Sequence, residues 1–332
     1  MRELDDWLAE RRGTLRAAGP ERAALFERAA AALPGYLAAL DLRDTGPLTG
    51  SPLSPNVLRE VRRADGSAAV LKLIGEPQHA EAATLAAWTA GGVPCAPLLD
   101  HGTGTHAPGV THLLLGLVAG TELPHAQMAA ATGEAAALYR RAHLAPPAGV
   151  LPLPDFLGPR LDEAAGVWRA AGLPAPDGAA EVLTALSAEP VLLHGDAVGF
   201  NLLRTRAGLA LIDPAGVHGP AEFDAARWVA RCLAVTGPAA LPELTATALR
   251  ADPSLEPRAF DACVAVELVI EVRHRITSPQ VFLRVGAPRR SFDADTRLLA
   301  GAALDRLGLR TWGPGRRRSP AGRSAGSRPC SG

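Results

Sequence analysis

The sequence predicts an α+β protein of two lobes, a small antiparallel-sheet half followed by a larger, mainly helical half, with a cleft between them. Three observations predict it. Residues 57–74 read as strand, Asp65-Gly66 turn and second strand, which is the pattern of a hairpin. From Ala126 onward the apolar residues recur mostly at helical spacing. At the junction, two short apolar runs (Val191 to Leu193, and Leu209 to Ile212) each deliver polar residues: His194-Gly195-Asp196 with Asn201 after the first, Asp213 after the second.

Taken in order, residues 2–32 carry Leu4, Trp7, Leu8, Leu15, Ala24, Leu25 and Ala29 at helical spacing, broken at Gly19-Pro20, so two short helices are expected. Strand pattern begins near Leu48. In the hairpin, Lys72 follows Leu71 and precedes Leu73, so its side chain points away from theirs. It is then either solvated or aimed into a cleft, and alternation alone does not choose. Residues 76–88, with Pro77 near the start and Gly91-Gly92 beyond the end, form a helix whose Glu81 can reach back to Lys72, with Glu76 as the alternative. Strands follow around 97–99 and 112–117, and Val118-Ala119-Gly120 breaks the pattern. Beyond the break come a long Ala-rich helix from Ala126 to His143, a Pro-rich connection over 146–159, and helices over 161–171 and 179–187. After the two apolar runs, helices are expected over 223–235, 242–250, 257–274 and 293–307. The expected units are N-terminal helices (1–40), an N-lobe (41–118), a C-lobe (119–310) and a disordered basic tail (311–332) rich in Gly, Ser, Pro and Arg.

The chain has 332 residues, enough for two lobes around one cleft. Its formal charge is zero, but up to Asp305 there are 27 basic against 34 acidic residues, a net of about −7. An acidic body argues against nucleic acid and favours cationic ligands. Cys95, Cys232, Cys263 and Cys330 are scattered, without C-x-x-C spacing, so neither a zinc site nor a disulfide framework is expected. The charged start Met1-Arg2-Glu3-Leu4-Asp5-Asp6 is unlike a signal peptide, and no apolar run is long enough to span a membrane. A cytoplasmic monomer is expected. Lys72 is the single lysine beside 33 arginines, which points to a place that needs a compact ammonium rather than a planar guanidinium.

Two carboxylates and an amide on adjacent short strands suit magnesium-dependent phosphoryl transfer. Other motifs fail on context. No Gly-Lys-Ser/Thr loop is present, and the G-x-S-x-G of Gly322 to Gly326 sits in the tail with no strand before it.

The order of hairpin Lys72, helical Glu81, apolar run, His194-Gly195-Asp196-x4-Asn201, Ile212-Asp213-Pro214 and Phe223-Asp224 resembles the aminoglycoside phosphotransferase family of the protein-kinase-like fold. The wording Ala69-Val70-Leu71-Lys72-Leu73, Tyr139-Arg140-Arg141-Ala142-His143 and Ile212-Asp213-Pro214-Ala215-Gly216 is most similar to the branch of streptomycin 6-phosphotransferases and hydroxyurea phosphotransferases. The resemblance runs over about 45–235. It implies Asp196 as catalytic base or orienting carboxylate, Asn201 and Asp213 as Mg²⁺ ligands, and Lys72, positioned by Glu81, on the nucleotide phosphates. It also implies Ser51 in the phosphate loop, backbone groups near Leu115 and Leu117 on adenine, and His194 and Asp224 as braces of the loop. The implied cofactors are ATP, with GTP as the alternative, and Mg²⁺.

The implied reaction is phosphorylation of a small-molecule antibiotic, a streptomycin-type aminoglycoside first. The alternatives are a kinase of hydroxyurea or another hydroxylated metabolite, and a nucleotide-binding module without catalysis. For a cationic acceptor, Asp155, Asp162, Glu163, Glu222, Glu267 and Glu271 are the available carboxylates, while Arg273-His274-Arg275 opposes it. Two departures stand out. Phe200 replaces the usual Gly before the Asn, where it either crowds the metal or walls the substrate pocket. Thr49 to Asn56 carries Pro52 and Pro55 in place of a glycine-rich loop.

Overall fold

The computed structural model describes residues 2–48, 54–78, 80–146, 149–186, 189–279 and 292–309. Ser51, Pro52 and the tail from 311 lie outside the described residues. Helices α1 (Arg2–Ala18) and α2 (Pro20–Ala39) precede a five-stranded antiparallel sheet of β1 (Arg43–Pro47), β2 (Val57–Arg62), β3 (Ala68–Ile74), β4 (Leu98–Thr103) and β5 (Thr111–Gly116) in the order β1-β2-β3-β5-β4. Helix α3 (Ala80–Ala90) follows β3. The second lobe holds α4 (His125–Met128), α5 (Thr132–Ala142), α6 (Leu153–Ala170), α7 (Ala179–Leu186), α8 (Phe223–Thr236), α9 (Leu241–Ala251), α10 (Pro257–Thr277) and α11 (Phe292–Arg306). Between α7 and α8 run the short strands β8 (Val191–Leu193), β9 (Leu202–Thr205), β10 (Gly208–Leu211) and β11 (Val217–Gly219), completed by β6 (Thr121–Glu122) and β7 (Leu151–Pro152). This is the two-lobed α+β arrangement expected from the sequence.

Two apolar clusters divide the work. Ala69, Leu71 and Leu73 of β3 pack with Phe26, Leu33 and Tyr36 of α2, so the N-terminal helices cover one face of the sheet. Their approach is close: a Cβ on Gly75 would lie 1.9 Å from the Leu25 carbonyl oxygen, and Arg28 donates to the Gly75 carbonyl at 2.5 Å. The other face joins α3 and the helical lobe in the larger cluster, through Ile74, Leu85, Trp88, Leu113 and Leu115. The lobes are also tied through the backbone. Ala96 N–H donates to Leu211 C=O at 3.0 Å, and Leu211 N–H donates to Pro94 C=O at 2.9 Å.

Four local expectations change. The second helix runs on through Pro34 to Ala39, because Leu33 and Tyr36 are buried on its inner face, and that burial outweighs the cost of an interior proline. Strand β1 precedes Leu48 and has no apolar alternation. It is held at the sheet edge by pairing with β2 and by a two-pronged contact of Arg59 with Asp44 at 2.7 to 3.1 Å. The single helix expected from Ala126 to His143 is divided into α4 and α5; Met128 is buried at the break, beneath the loop that carries Gly199, and Thr132 Oγ donates to the Ala129 carbonyl at 2.8 Å. Helix α6 begins at Leu153, within the segment read as a connection. Pro154 sits in its first turn, where no N–H is needed, and Leu153 and Leu157 are fully buried.

Candidate active site

Lys72 is registered with Leu58 on one side and Leu113 on the other. Since the face bearing Leu71 and Leu73 is taken by α2, Lys72 faces α3 and the cleft. Its side chain is 5% exposed, and the ammonium donates to Glu81 Oε2 at 2.5 Å and to Asp213 Oδ1. Burial opposes the charge, but Asp213 and Glu81 more than offset it and hold the lysine pKa above its ordinary value. Glu81 is raised as well, by its own burial first, with Lys72 pulling the other way.

The loop after β8 is shaped by one glycine and braced by one aspartate. Gly195 has φ +74°, and a Cβ there would stand 2.5 Å from Val217 Cγ2. The N–H groups of His194 and Gly195 donate to the two oxygens of buried Asp224 at 2.7 and 2.9 Å. Asp196 N–H donates to His194 Nδ1 at 3.2 Å. The ring proton is therefore on Nε2, which donates to the Ile212 carbonyl at 2.9 Å. Backbone bonds then fix the two loops to each other: Ile212 N–H to Asn201 C=O at 3.0 Å, and Ala215 N–H to His194 C=O at 2.8 Å. Asp213 follows with φ 55°, a left-handed conformation that Asp tolerates better than most residues, and its carboxylate meets Lys72.

Asp196 is held at both oxygens. Arg227 Nη2 donates to Oδ1, and Asn201 Nδ2 donates to Oδ2 at 3.1 Å and to the Asp196 main-chain carbonyl at 2.9 Å. Burial favours the neutral acid, but the Arg227 guanidinium prevails, helped by Arg231, and brings the Asp196 pKa down to about 2. Arg227 is 3% exposed, and its Nη1 donates to both oxygens of buried Glu267 at 3.1 and 2.9 Å. One turn on, Arg231 donates to Glu271 Oε2 at 3.0 Å, which repeats the α8-to-α10 pairing four residues later on each helix.

The structure thus brings Lys72, Glu81 and Asp213 together on one side, and Asp196 and Asn201 on the other, with His194 and Asp224 beneath. Leu115 lies within β5, paired with Val70 and Leu98, its side chain buried; Leu117 follows the last paired residue and is 40% exposed. Phe200 is 42% exposed, with its ring against His125, whereas Asn201 is buried. Arg227 and Glu267 complete the set. Arg227 was not singled out in the sequence, yet it lies three residues after Asp224 on one helix, a spacing that puts both on the face turned toward the loop.

The donors suit Mg²⁺. Because Asn201 Nδ2 is spent on Asp196, its Oδ1 is left to accept from or ligate something else, and the Asp213 side chain is 56% exposed. Both are hard oxygens. Among the described residues no group of three His, Cys, Asp or Glu could hold a metal ion.

The frame is similar to that of aminoglycoside phosphotransferase APH(4)-Ia, at 14% identity over 85% of this chain and 100% of that one, with a TM-score of 0.52. A thermostable mutant of the same enzyme in its apo form gives 0.51 at 14% identity, over 83% and 98% of the two chains. A choline kinase from Cryptosporidium parvum gives 0.50 at 12% identity, over 80% and 89%. No curated protein sequence matches the chain. At these identities the likeness defines the class of fold, that of the kinase-like phosphotransferases. A sequence model described as aminoglycoside/hydroxyurea antibiotic resistance kinase matches residues 49–251, more than half of the length, and the chain belongs to that family. It is accordingly a kinase acting on a hydroxyl acceptor.

Proposed function

We propose that this protein transfers the γ-phosphoryl group of ATP to a hydroxyl of a small molecule, with Lys72 on the nucleotide phosphates and Asp196 on the acceptor. The observation that carries this reading is the buried Lys72 ammonium shared between Glu81 and Asp213, opposite a loop in which Asp196 and Asn201 are fixed to each other. Lys72 offers a compact charge to phosphate oxygens, and Glu81 keeps it from swinging out of the cleft. Asn201 and Asp213 are the residues that would hold Mg²⁺, which supplies neutralisation of the phosphate charge when bound. Asp196 is ionised at every working pH, since its pKa is about 2. It is therefore a weak base, and its work is to aim the acceptor hydroxyl in line and take the proton late, as a loose phosphoryl transition state requires.

The family description names aminoglycosides and hydroxyurea, and the resemblance seen in the sequence puts a streptomycin-type aminoglycoside first. The surroundings of Asp196 favour hydroxyurea or a different small acceptor. Glu267 and Glu271 are buried against Arg227 and Arg231, Glu163 is paired with Arg273, and Glu222 accepts from Glu256 N–H at 3.0 Å. Of the six carboxylates considered for a polycation, Asp155 and Asp162 are the ones with no such partner among the described residues.

The test is ADP release with MgATP over streptomycin, other aminoglycosides and hydroxyurea, with Asp196→Asn as control. Transfer to any of them, lowered about 10²- to 10⁴-fold in Asp196→Asn with nucleotide affinity kept, is the expected result. Full activity of Asp196→Asn would sink the mechanism.

A further inference from the structure

Helix α1 turns one face to the sheet. Leu8 and Leu15 are buried there, in the cluster that also holds Val57, Val61 and Leu71, and Trp7 packs against it. Arg11 stands between them, three residues after Leu8 and four before Leu15, which is the spacing of a single helical face. A guanidinium in an apolar stripe is costly unless it has a partner. Burial pulls the Arg11 pKa below its ordinary value, with Glu10 opposing. The partner is far along the chain: Arg11 Nη2 donates to the Ser54 carbonyl at 2.6 Å. One turn earlier on the same helix, the Trp7 ring meets the Arg59 guanidinium, 5.3 Å from the ring centroid, and Arg59 in turn holds Asp44 of β1. Helix α1 thus grips β2 itself at Arg59 and the chain entering β2 at Ser54.

The segment at Ser54 has few donors of its own. Pro55 carries no N–H, and Asn56 N–H is spent locally, on Ser54 Oγ at 3.3 Å. Its place in the fold gives the contact a consequence. Leu48, just beyond β1, donates its N–H to the Leu58 carbonyl at 3.2 Å, and Leu58 is registered with Lys72 on β3. The chain therefore leaves the sheet at Leu48 and returns to it at Val57 beside the lysine proposed to bind phosphate.

We infer that Arg11 is a positioning residue of the nucleotide site: by holding the Ser54 carbonyl from α1, it sets the segment that enters β2 next to Lys72, and with it the grip on the nucleotide phosphates. The inference rests on the proposed nucleotide binding at Lys72. Arg11 touches no nucleotide in this role and acts through the main chain at Ser54. Arginine suits the task because its stem lies along the apolar stripe while its head reaches past it to a carbonyl.

Calorimetric binding of MgATP and of adenosine to the full chain tests this, with Arg11→Met, Arg11→Lys and Arg12→Gln. Arg11→Met keeps an apolar stem in the stripe and removes the donor, so the fold should hold. MgATP should bind that variant about tenfold more weakly and adenosine equally well, since the phosphates and not the base lie beside Lys72. Arg11→Lys retains a charged donor and should stay within about threefold of the unsubstituted chain. Arg12→Gln breaks the ion pair of α1 with Glu27 of α2, at 2.9 Å, without touching Ser54, and should leave both affinities as they are. Unaltered MgATP affinity in Arg11→Met, an equal loss for adenosine, or the same loss in Arg12→Gln overturns the inference and leaves the phosphotransfer reading standing. Absence of MgATP binding by the unsubstituted chain takes down both.

Discussion

Arg227 sets the state of Asp196. With a pKa near 2, Asp196 is a depressed carboxylate: the stability it contributes is fully present above the ordinary value of 3.8 and is lost as pH falls toward 2. Removing the guanidinium leaves burial as the dominant influence, so the Asp196 pKa should rise to its ordinary value or beyond. Arg227→Gln alone also strands Glu267, buried and charged, at a cost of about 3–5 kcal/mol by urea melt. Arg227→Gln with Glu267→Gln should recover part of that loss. In the double variant the acid limb of the kcat/KM profile should move up in pH; an unmoved limb would mean that Arg227 does not tune Asp196. On the other side of the cleft, Lys72→Arg keeps the charge but places a longer fork where an ammonium fits between two carboxylates. A fall in kcat/KM for ATP on the order of a hundredfold is expected, since misplacement of about an ångström has effects of that size.

Among the elements, the short strands β8 to β11 do the positioning, and they tolerate little. Gly216 has φ +68°, and a Cβ there would be 2.5 Å from the Ala80 carbonyl oxygen at the start of α3. Gly216→Ala therefore meets both backbone strain and rigid backbone. It should push α3, and with it Glu81, away from the loop that carries Asp213. A lower thermal midpoint together with a raised KM for ATP is the expected pair of effects. A change in stability with KM unaltered would show that α3 does not depend on this contact. The division of α4 from α5 belongs to the same scale. Composition favours one Ala-rich helix, yet Met128 must be buried under Gly199, where a Cβ would come within 2.9 Å of its sulfur. The loop that carries Gly199 takes precedence over the helix because a buried side chain is stabilised more than an unbroken helical turn.

For the whole molecule, the N-terminal helices shape the site from behind the sheet. By covering Ala69, Leu71 and Leu73 they decide which face of β3 looks into the cleft. Removal of residues 2–39 should uncover that face and give a protein that binds a hydrophobic dye and loses its near-ultraviolet dichroism; a native-like truncated protein would contradict the role assigned to α1 and α2. Much of the plan could be read directly. The hairpin, the helix with Glu81, the His-Gly-Asp-x4-Asn loop and Asp213 are local patterns, set by alternation, glycine and turn chemistry within a few residues. Those patterns fixed the α+β class, the order of the lobes and the polar residues of the cleft. The direction of Lys72 was not local. Alternation gave two equal faces, and helices from an earlier part of the chain chose between them by burying one. The partner of Asp196 was not local either. Arg227 and Glu267 are one among many arginines and glutamates in the sequence, and their meeting depends on how α8 crosses α10, which long-range packing of buried side chains determines.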